Sequence, residues 1–311
     1  MKILITGGAG YIGSVLTDLL LLNGYQITVY DNFMFRQNSL NNLFSNKNLN
    51  VIDGDIRDRE LLNKEISKHD VIIPLAAIVG APACEKYKFI SNEINYESNL
   101  DLVKNKSNDQ LILMPTTNSA YGSGNSDNYC NEDSPLKPLS DYANQKVKLE
   151  EEILNFENVI SFRFATVFGF SPKMRFDLLV NDFTQKAYSD KYIILFEENF
   201  KRNYLHVKDA ANVFIHALNN LSSFNHKIYN VGLSNANISK RELCDKIKEY
   251  LPNFVYNTSP FSWDPDKRNY IVDNSRIENT GFNCLYSLDD GIKELIKGIK
   301  TISMKLYTNI S

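Results

Sequence analysis

The first half of the chain alternates short apolar runs with longer stretches of helical period, and this alternation constrains the fold more than any other feature of the sequence. The apolar runs predict strands at 2–5, 26–30, 50–52, 71–75, 111–115 and 159–164. Between them, apolar residues recur every three or four positions, which predicts helices at 12–23, 59–67, 89–105 and 141–156. Right-handed crossovers between such units build a parallel sheet with helices on both faces. The sequence therefore predicts an α/β fold with a doubly wound parallel sheet.

From about residue 170 the chain no longer shows this regular alternation of strands and helices. Helices are predicted at 175–189, 208–220, 239–250 and 288–301. Short strands are predicted near 193–196, 203–207, 228–231 and 270–272, with long Asn-, Ser- and Pro-rich loops between them. We therefore expect a first domain at 1–170 and a smaller C-terminal α/β cap at 171–311, interleaved with the first domain and binding the substrate.

Composition excludes several classes of protein. The 34 basic and 37 acidic residues provide no basic field for a nucleic acid, and no run of about 18 apolar residues could span a membrane. The opening apolar run is too short for a signal-peptide core, and the four cysteines form no close pair, so we expect a cytoplasmic protein with reduced thiols. The four histidines also lie far apart in the sequence, so no metal site is expected.

A glycine turn, Thr6–Gly13, joins the first predicted strand directly to the first predicted helix. Glycines allow a positive-φ turn and a close backbone approach to a ligand, and the helix N-terminus adds unpaired N–H donors and partial positive charge. In this strand-to-helix context the turn predicts a Rossmann-like site for the diphosphate of a dinucleotide. The expected contacts are Gly7, Gly10, Tyr11, Ile12 and Gly13.

The second and third strands end in acidic residues that suit the adenosine half of such a cofactor. Asp31 and Asn32 follow the second strand, and a carboxylate there accepts hydrogen bonds from a ribose diol and repels a 2′-phosphate. The nearest arginine is Arg36, so NAD is favoured over NADP. Asp55 and Ile56 follow the third strand at the expected adenine edge, although Asp55 would also suit a turn or a helix cap.

Two Tyr-x-x-x-Lys pairs are candidates for the base that accepts a proton from an alcohol. Tyr142 and Lys146 open a predicted helix, downstream of a strand that ends in hydroxyl residues, whereas Tyr204 and Lys208 start in a predicted cap strand. Random placement alone gives about one such pair, so context decides, and it favours the first pair. We expect the Lys146 ammonium, together with the nicotinamide charge, to lower the pKa of the Tyr142 phenol.

With these motifs the chain resembles the extended short-chain dehydrogenase/reductases that act on nucleotide sugars, a family of epimerases, 4,6-dehydratases and C4 oxidoreductases. The glycine turn, Tyr142, Lys146 and Thr117 carry the resemblance, and Phe164–Gly169 and Arg202 fit later motifs. The resemblance implies an NAD-dependent enzyme with Tyr142, Lys146 and Thr117 as catalytic residues. It implies further cofactor contacts at Leu75, Ala76, Ala77, Asn95, Tyr142, Lys146 and Phe164. It implies substrate contacts at Thr117, Asn118, Ser119, Arg175, Asn181, Arg202 and Arg268, of which Arg202 and Arg268 would hold a diphosphate unless they are surface charges.

The residues after Thr117 separate the reactions of this family. The 4,6-dehydratases carry an Asp-Glu pair there, whereas this chain has Asn118 and Ser119, which have no acid–base function at neutral pH. A C4 dehydrogenase and a 4-epimerase with transient C4 oxidation remain. The segments Val79–Lys86 and Met174–Asp177 are similar to a branch that includes GDP-heptose 4-dehydrogenases of bacterial capsule and surface-polysaccharide clusters, and this is the preferred prediction.

Two further expectations complete the sequence analysis. A non-catalytic NAD-binding sensor or scaffold is a third possibility, disfavoured because both Tyr142 and Lys146 are retained. The resemblance also implies a homodimer formed through the helices 89–105 and 141–156.

Overall fold

The computed structural model of the chain describes residues 1–36, 38–123, 129–259 and 268–302. The strands are β1 (Lys2–Thr6), β2 (Gln26–Asp31), β3 (Leu49–Asp53), β4 (Val71–Pro74), β5 (Leu111–Thr117), β6 (Tyr129–Cys130), β7 (Val159–Phe164), β8 (Thr166–Phe168), β9 (Tyr192–Leu195), β10 (Lys201–His206), β11 (Ile228–Val231), β12 (Asn237–Ser239), β13 (Val255–Thr258) and β14 (Ile271–Val272). The α-helices are α1 (Tyr11–Leu22), α2 (Arg59–Ile66), α3 (Ala81–Lys86), α4 (Lys88–Asn92), α5 (Asn99–Lys104), α6 (Asp141–Ile153), α7 (Leu179–Ser189), α8 (Val207–Asn219), α9 (Lys240–Tyr250), α10 (Ser275–Glu278) and α11 (Leu288–Ile299).

Seven strands of the described residues form one parallel sheet in the order β11-β7-β5-β4-β1-β2-β3. Neighbouring residues of β1 point to opposite faces: Ile3 and Ile5 lie in a core that includes residues of α1 and α8, and Leu4 lies in a core that includes residues of α2 and α6. Apolar burial on both faces is what a sheet covered by helices on each side requires. The predicted doubly wound α/β fold is therefore confirmed.

The structure places one predicted cap strand, 228–231, in the large sheet. Strand β11 pairs with β7 at the edge of the large sheet, with Val231 opposite Phe164, so 228–231 is part of the main sheet and not of the cap. Helix α8 likewise packs on α1. The remaining small sheets are β12-β10-β8, β13-β9 and β14-β6. The division of the chain near residue 170 stays a prediction.

The predicted helix 89–105 is interrupted in the structure. Helices α4 and α5 are joined by a π-helical segment, Glu93–Ser98. The Asn99 Nδ2 donates to the Ile94 carbonyl oxygen at 2.7 Å, so a side-chain amide takes up a backbone group of this turn. The Asn95 Oδ1 accepts from the Ile78 nitrogen, outside the helix. No helix among the described residues is long and apolar enough to cross a bilayer.

Candidate active site

The glycine turn closes tightly against the sheet. Gly7 has a φ of +72°, and a Cβ atom there would lie 2.5 Å from the Ala76 backbone nitrogen. A Cβ atom on Gly13 would lie 2.3 Å from the Gly7 carbonyl oxygen, so α1 approaches β1 this closely only with glycine. The first turn of α1 has no acidic side chain, and Gly10 provides no side-chain cap. Its N–H donors and partial positive charge therefore fit the diphosphate of a dinucleotide.

A first cleft lies beside this turn, where β2 and β3 end. The two carboxylate oxygens of Asp31 accept hydrogen bonds from the Ala9 nitrogen at 3.0 Å and the Phe33 nitrogen at 2.9 Å. Burial raises the pKa of Asp31, and these two bonds act against that rise. Predicted cofactor residues line this cleft: Gly7, Gly10, Asp31, Asn32, Asp55, Ile56, Leu75, Ala76 and Ala77.

Asp55 both lines the first cleft and shapes a turn, the two roles that the sequence suggested for it. Its carboxylate receives two hydrogen bonds of 2.8 Å from the Arg57 guanidinium and one of 3.0 Å from the Asn32 amide. The Arg57 side chain is the main cause that lowers the pKa of Asp55 to about 2. Asp55 also accepts from the Arg57 backbone nitrogen at 3.0 Å, so it shapes a turn while lining the cleft.

A second, central cleft of about 470 Å³ opens at the carboxyl edge of the sheet. Its described lining contains five basic and two acidic side chains, a balance that favours an anionic ligand. Predicted residues found in this lining are Gly7, Gly10, Tyr11, Ile12, Gly13, Leu75, Ala77, Thr117, Ser119, Tyr142, Lys146, Phe164, Arg175, Arg202 and Arg268.

The three predicted catalytic residues meet in the central cleft. Thr117 is the last residue of β5, and its Oγ1 accepts from the Ser119 nitrogen at 3.1 Å. Ser140 caps α6 by accepting from the Ala143 nitrogen at 3.3 Å, which places Tyr142 in the first turn of that helix. Lys146 follows one turn later and is fully buried.

The cations that act on the pKa of Tyr142 include two arginines that the sequence did not indicate for this role. Burial raises the pKa of Tyr142 to about 12, and the cations that oppose this rise are Arg175 and Arg268. The Lys146 Nζ donates to the Pro115 carbonyl oxygen at 3.2 Å, and burial lowers the pKa of Lys146 to about 8. The expected lowering of the Tyr142 pKa by the Lys146 ammonium together with the nicotinamide charge stays a prediction.

The alternative Tyr-x-x-x-Lys pair does not share a helix face. Tyr204 lies in β10 and is fully buried, whereas Lys208 lies in α8 and pairs with Glu294 at 2.6 Å. The preference for Tyr142 and Lys146 thus agrees with the position of each pair relative to the cleft.

Three arginines line the central cleft. Arg202 is 1% exposed, lies 5.7 Å from the Tyr270 ring and is therefore not a surface charge. Arg268 is half-buried and bonds to the Ser119 hydroxyl. Arg175 forms a 2.5 Å ion pair with Asp177. Burial raises the pKa of Asp177, but the bonds and charge of Arg175, together with a backbone N–H and Lys173, lower it overall.

Three predicted residues are absent from the described lining of either cleft: Asn95, Asn118 and Asn181. Asn95 accepts from the Ile78 nitrogen at 2.8 Å and donates to the Gln145 side chain at 2.8 Å. Asn181 donates to the Tyr11 hydroxyl at 3.1 Å and accepts from the Gly169 nitrogen at 3.0 Å. Both amides fix backbone segments behind the clefts.

The buried Asn118 differs from the other two amides. Its Oδ1 and Nδ2 have no hydrogen-bond partner among the described residues. Sequence reasoning also missed Phe35 and Lys173, which line both clefts. The one available signal was the position of Lys173 two residues before Arg175.

Comparisons with known proteins show a family match and several similar proteins. The family model described as NAD dependent epimerase/dehydratase family matches residues 3–232. A putative UDP-glucose 4-epimerase of Methanocaldococcus jannaschii is 26% identical over 96% of this chain and 98% of its own length. CDP-paratose 2-epimerase of Salmonella typhi is 26% identical over 95% of this chain and 98% of its own length. The solved structure of a UDP-glucose 4-epimerase from Thermotoga maritima covers 96% of this chain and 99% of its own, with a TM-score of 0.82 and 24% identity.

Proposed function

The chain belongs to the NAD dependent epimerase/dehydratase family, and from this premise we propose that it oxidises C4 of a nucleotide-activated sugar and produces the 4-epimer. The observation that carries the proposal is the meeting of Thr117, Tyr142 and three arginines in one cleft that continues to the glycine turn. Two curated relatives matched over nearly their whole length carry epimerase names, which supports epimerisation as the net outcome.

The residues of the central cleft have different roles in the proposed reaction. Tyr142 accepts the proton of the C4 hydroxyl, and the Thr117 hydroxyl bonds the same oxygen and orients it. Arg202 and Arg268 bind the sugar diphosphate, since a planar guanidinium matches phosphate oxygens in pairs. NAD, when bound, supplies the acceptor for the C4 hydride and, in an epimerase, the hydride that returns to the opposite face.

Positive charge assists Tyr142 in this scheme. The pKa of about 12 set by burial disfavours the phenolate, and Arg175 and Arg268 are the side chains that lower it. Arg268 also bonds the Ser119 hydroxyl, so it connects the diphosphate end of the cleft with the segment after Thr117.

The segment after Thr117 supports an outcome without loss of water. Asn118 is fully buried and Ser119 bonds Arg268, so neither serves as an acid or a base. The cleft-lining Asp177 is paired with Arg175, and Asp182 with Lys186, which leaves both carboxylates in ion pairs.

A second candidate is net dehydrogenation of a GDP-heptose. It rests on the segments Val79–Lys86 and Met174–Asp177, which resemble that branch of the family. These segments meet in the structure, where the Arg175 guanidinium lies 3.5 Å from the Val79 carbonyl oxygen, and both contribute to the central cleft. We propose these two segments as the positions that distinguish a heptose from a hexose.

The test is incubation of the purified protein and NAD with GDP-, UDP-, dTDP- and CDP-sugars, with products analysed by mass spectrometry and NMR. An inverted C4 with unchanged mass supports epimerisation, and loss of two hydrogens supports the dehydrogenase. Loss of water, or no reaction with any sugar, contradicts the proposal.

Matched tyrosine variants show whether the chemistry belongs to this site. Tyr142→Phe should abolish product formation because it removes the proton acceptor. Tyr204→Phe is the control: the Tyr204 hydroxyl is buried and has no hydrogen-bond partner among the described residues, so its loss should leave turnover near wild type. Turnover that persists in Tyr142→Phe would refute the assigned base.

We also propose that the protein is a homodimer formed through the segments 89–105 and 141–156. Phe89 is 90% exposed and Ile90 is 41% exposed, so apolar surface is available at one of these segments. Light scattering coupled to size exclusion should give twice the chain mass, and Phe89→Glu should shift it toward the monomer. A wild-type monomer at micromolar concentration would contradict this arrangement.

A further inference from the structure

The two clefts meet at a junction, which is defined by the residues that line both of them. Six described residues line both clefts: Gly7, Gly10, Phe35, Leu75, Ala77 and Lys173. Four of them belong to the carboxyl edge of the sheet, in the glycine turn after β1 and in the segment that leaves β4. The other two come from loops, since Phe35 follows β2 and Lys173 follows β8. Of these six residues, Lys173 alone carries a charge.

Phe35 and Lys173 contact each other at this junction. The Lys173 Nζ lies 4.2 Å from the centroid of the Phe35 ring, within the range of a cation–π interaction. Lys173 is 3% exposed, whereas Phe35 is 40% exposed. The contact therefore connects two loops that are distant in sequence, with a buried ammonium beneath a partly exposed ring.

The turn that carries Phe35 is built around the cofactor site. Phe33 and Arg36 have φ values of +49° and +46°, a left-handed conformation that is costly for residues other than glycine and that surrounding contacts must maintain. The Arg36 nitrogen donates to the Phe33 carbonyl oxygen at 2.8 Å, and the Phe33 nitrogen donates to Asp31. The carboxylate expected to bind the adenosine ribose thus also fixes the turn of Phe35.

We propose that Lys173 binds the diphosphate of NAD and that the Phe35 ring holds the Lys173 side chain at that position. A dinucleotide with its adenosine beside Asp31 and its nicotinamide beside Tyr142 passes its diphosphate through the junction of the two clefts. The glycine turn provides backbone N–H donors there, and Lys173 adds a full positive charge, which strengthens each hydrogen bond to an anion. The inference depends on NAD binding alone and not on the identity of the sugar.

The electrostatic surroundings of Lys173 support this assignment. Burial is the main cause that lowers its pKa to about 8, Arg175 lowers it further, and Asp177 and Asp31 act in the opposite direction. A nearby diphosphate dianion would stabilise the ammonium in this buried position.

Isothermal titration of the cofactor-stripped protein with NAD+, ADP-ribose and adenosine tests the proposal without any sugar. Lys173→Met should weaken NAD+ and ADP-ribose binding by about tenfold to a hundredfold, the range for loss of a charged hydrogen bond, and should leave adenosine binding unchanged. Lys173→Arg should retain most of the affinity. Phe35→Leu should speed the release of NADH in stopped-flow fluorescence.

Lys293→Met is the matched control, because the Lys293 Nζ lies 5.1 Å from the Tyr250 ring and neither residue is in the described lining of either cleft. Its NAD+ affinity should equal that of wild type. Unchanged NAD+ affinity in Lys173→Met, or an equal loss for adenosine, would overturn the proposal.

Discussion

Replacement of Arg163 by methionine should destabilise the fold strongly, because it breaks a buried ion pair beneath the active site. Arg163 donates to Glu150 from its Nε at 2.9 Å and from its Nη2 at 2.6 Å, and the two side chains are 4% and 3% exposed. The other Glu150 oxygen accepts from Thr116 at 2.8 Å and from Ser161 at 2.6 Å. The pair thus ties helix α6, which carries Tyr142, to strands β5 and β7.

The expected loss of stability follows from the buried charge that the substitution leaves unpaired. In Arg163→Met the Glu150 carboxylate stays buried with two hydroxyl donors and no cation, and removal of one partner of such a pair costs about 3–5 kcal/mol. For a chain of this length that loss lowers the melting temperature by roughly 5–8 °C. Tyr121 also loses the 3.0 Å bond from Arg163 but keeps its 2.7 Å bond to Asn230, so we assign the main effect to Glu150.

Urea unfolding and thermal melts of four proteins test this reasoning: wild type, Arg163→Met, Glu150→Met and the double variant. The double variant should be far more stable than the sum of the single effects predicts, because two apolar side chains leave no buried charge unpaired. Arg241→Met is the control, since Arg241 makes a comparable 2.5 Å pair with Glu198 in solvent, and it should behave like wild type. A loss below about 1 kcal/mol in Arg163→Met, or strict additivity in the double variant, would refute the reasoning.

Three further predictions concern the cofactor side of the site. Gly13→Ala should abolish NAD binding measured by titration, because its Cβ would lie 2.3 Å from the Gly7 carbonyl oxygen; binding at wild-type affinity would contradict the close approach. Asp31→Asn should shift the ratio of NADP+ to NAD+ affinity by about tenfold toward NADP+, since Arg36 lines the same cleft; an unchanged ratio would refute the role of the carboxylate. The folded pKa of about 8 for Lys146 lies below its ordinary 10.5, so the unfolded chain binds more protons between these values. The free energy of unfolding of wild type relative to Lys146→Met should therefore rise by about 3 kcal/mol from pH 8 to pH 10.5 in urea titrations, and a fall would contradict the assigned direction.

The sequence by itself determined the class of fold, and it identified the candidate catalytic residues. The alternation of strands and helices is a local pattern, and it fixed the parallel sheet because crossovers of one hand leave few arrangements. The glycine turn was equally predictable, since the steric limit that excludes a Cβ at Gly13 comes from Gly7 and Gly8 within the same turn. Tyr142 was distinguished from Tyr204 by the helix-start signals just before it, which are also local.

Only the tertiary structure decided which side chains meet. Strand β11 was predicted in the cap from its position in the chain, and its place beside β7 depends on pairing with a strand far away in the sequence. Asn95 and Asn181 are predicted ligand contacts, and the structure shows that their amides bond groups distant in sequence, the Ile78 and Gly169 nitrogens. The arginines that lower the pKa of Tyr142, and the contact of Phe35 with Lys173, come from separate loops at the sheet edge. Local periodicity carries no information about such convergence, because the geometry of the whole sheet sets it.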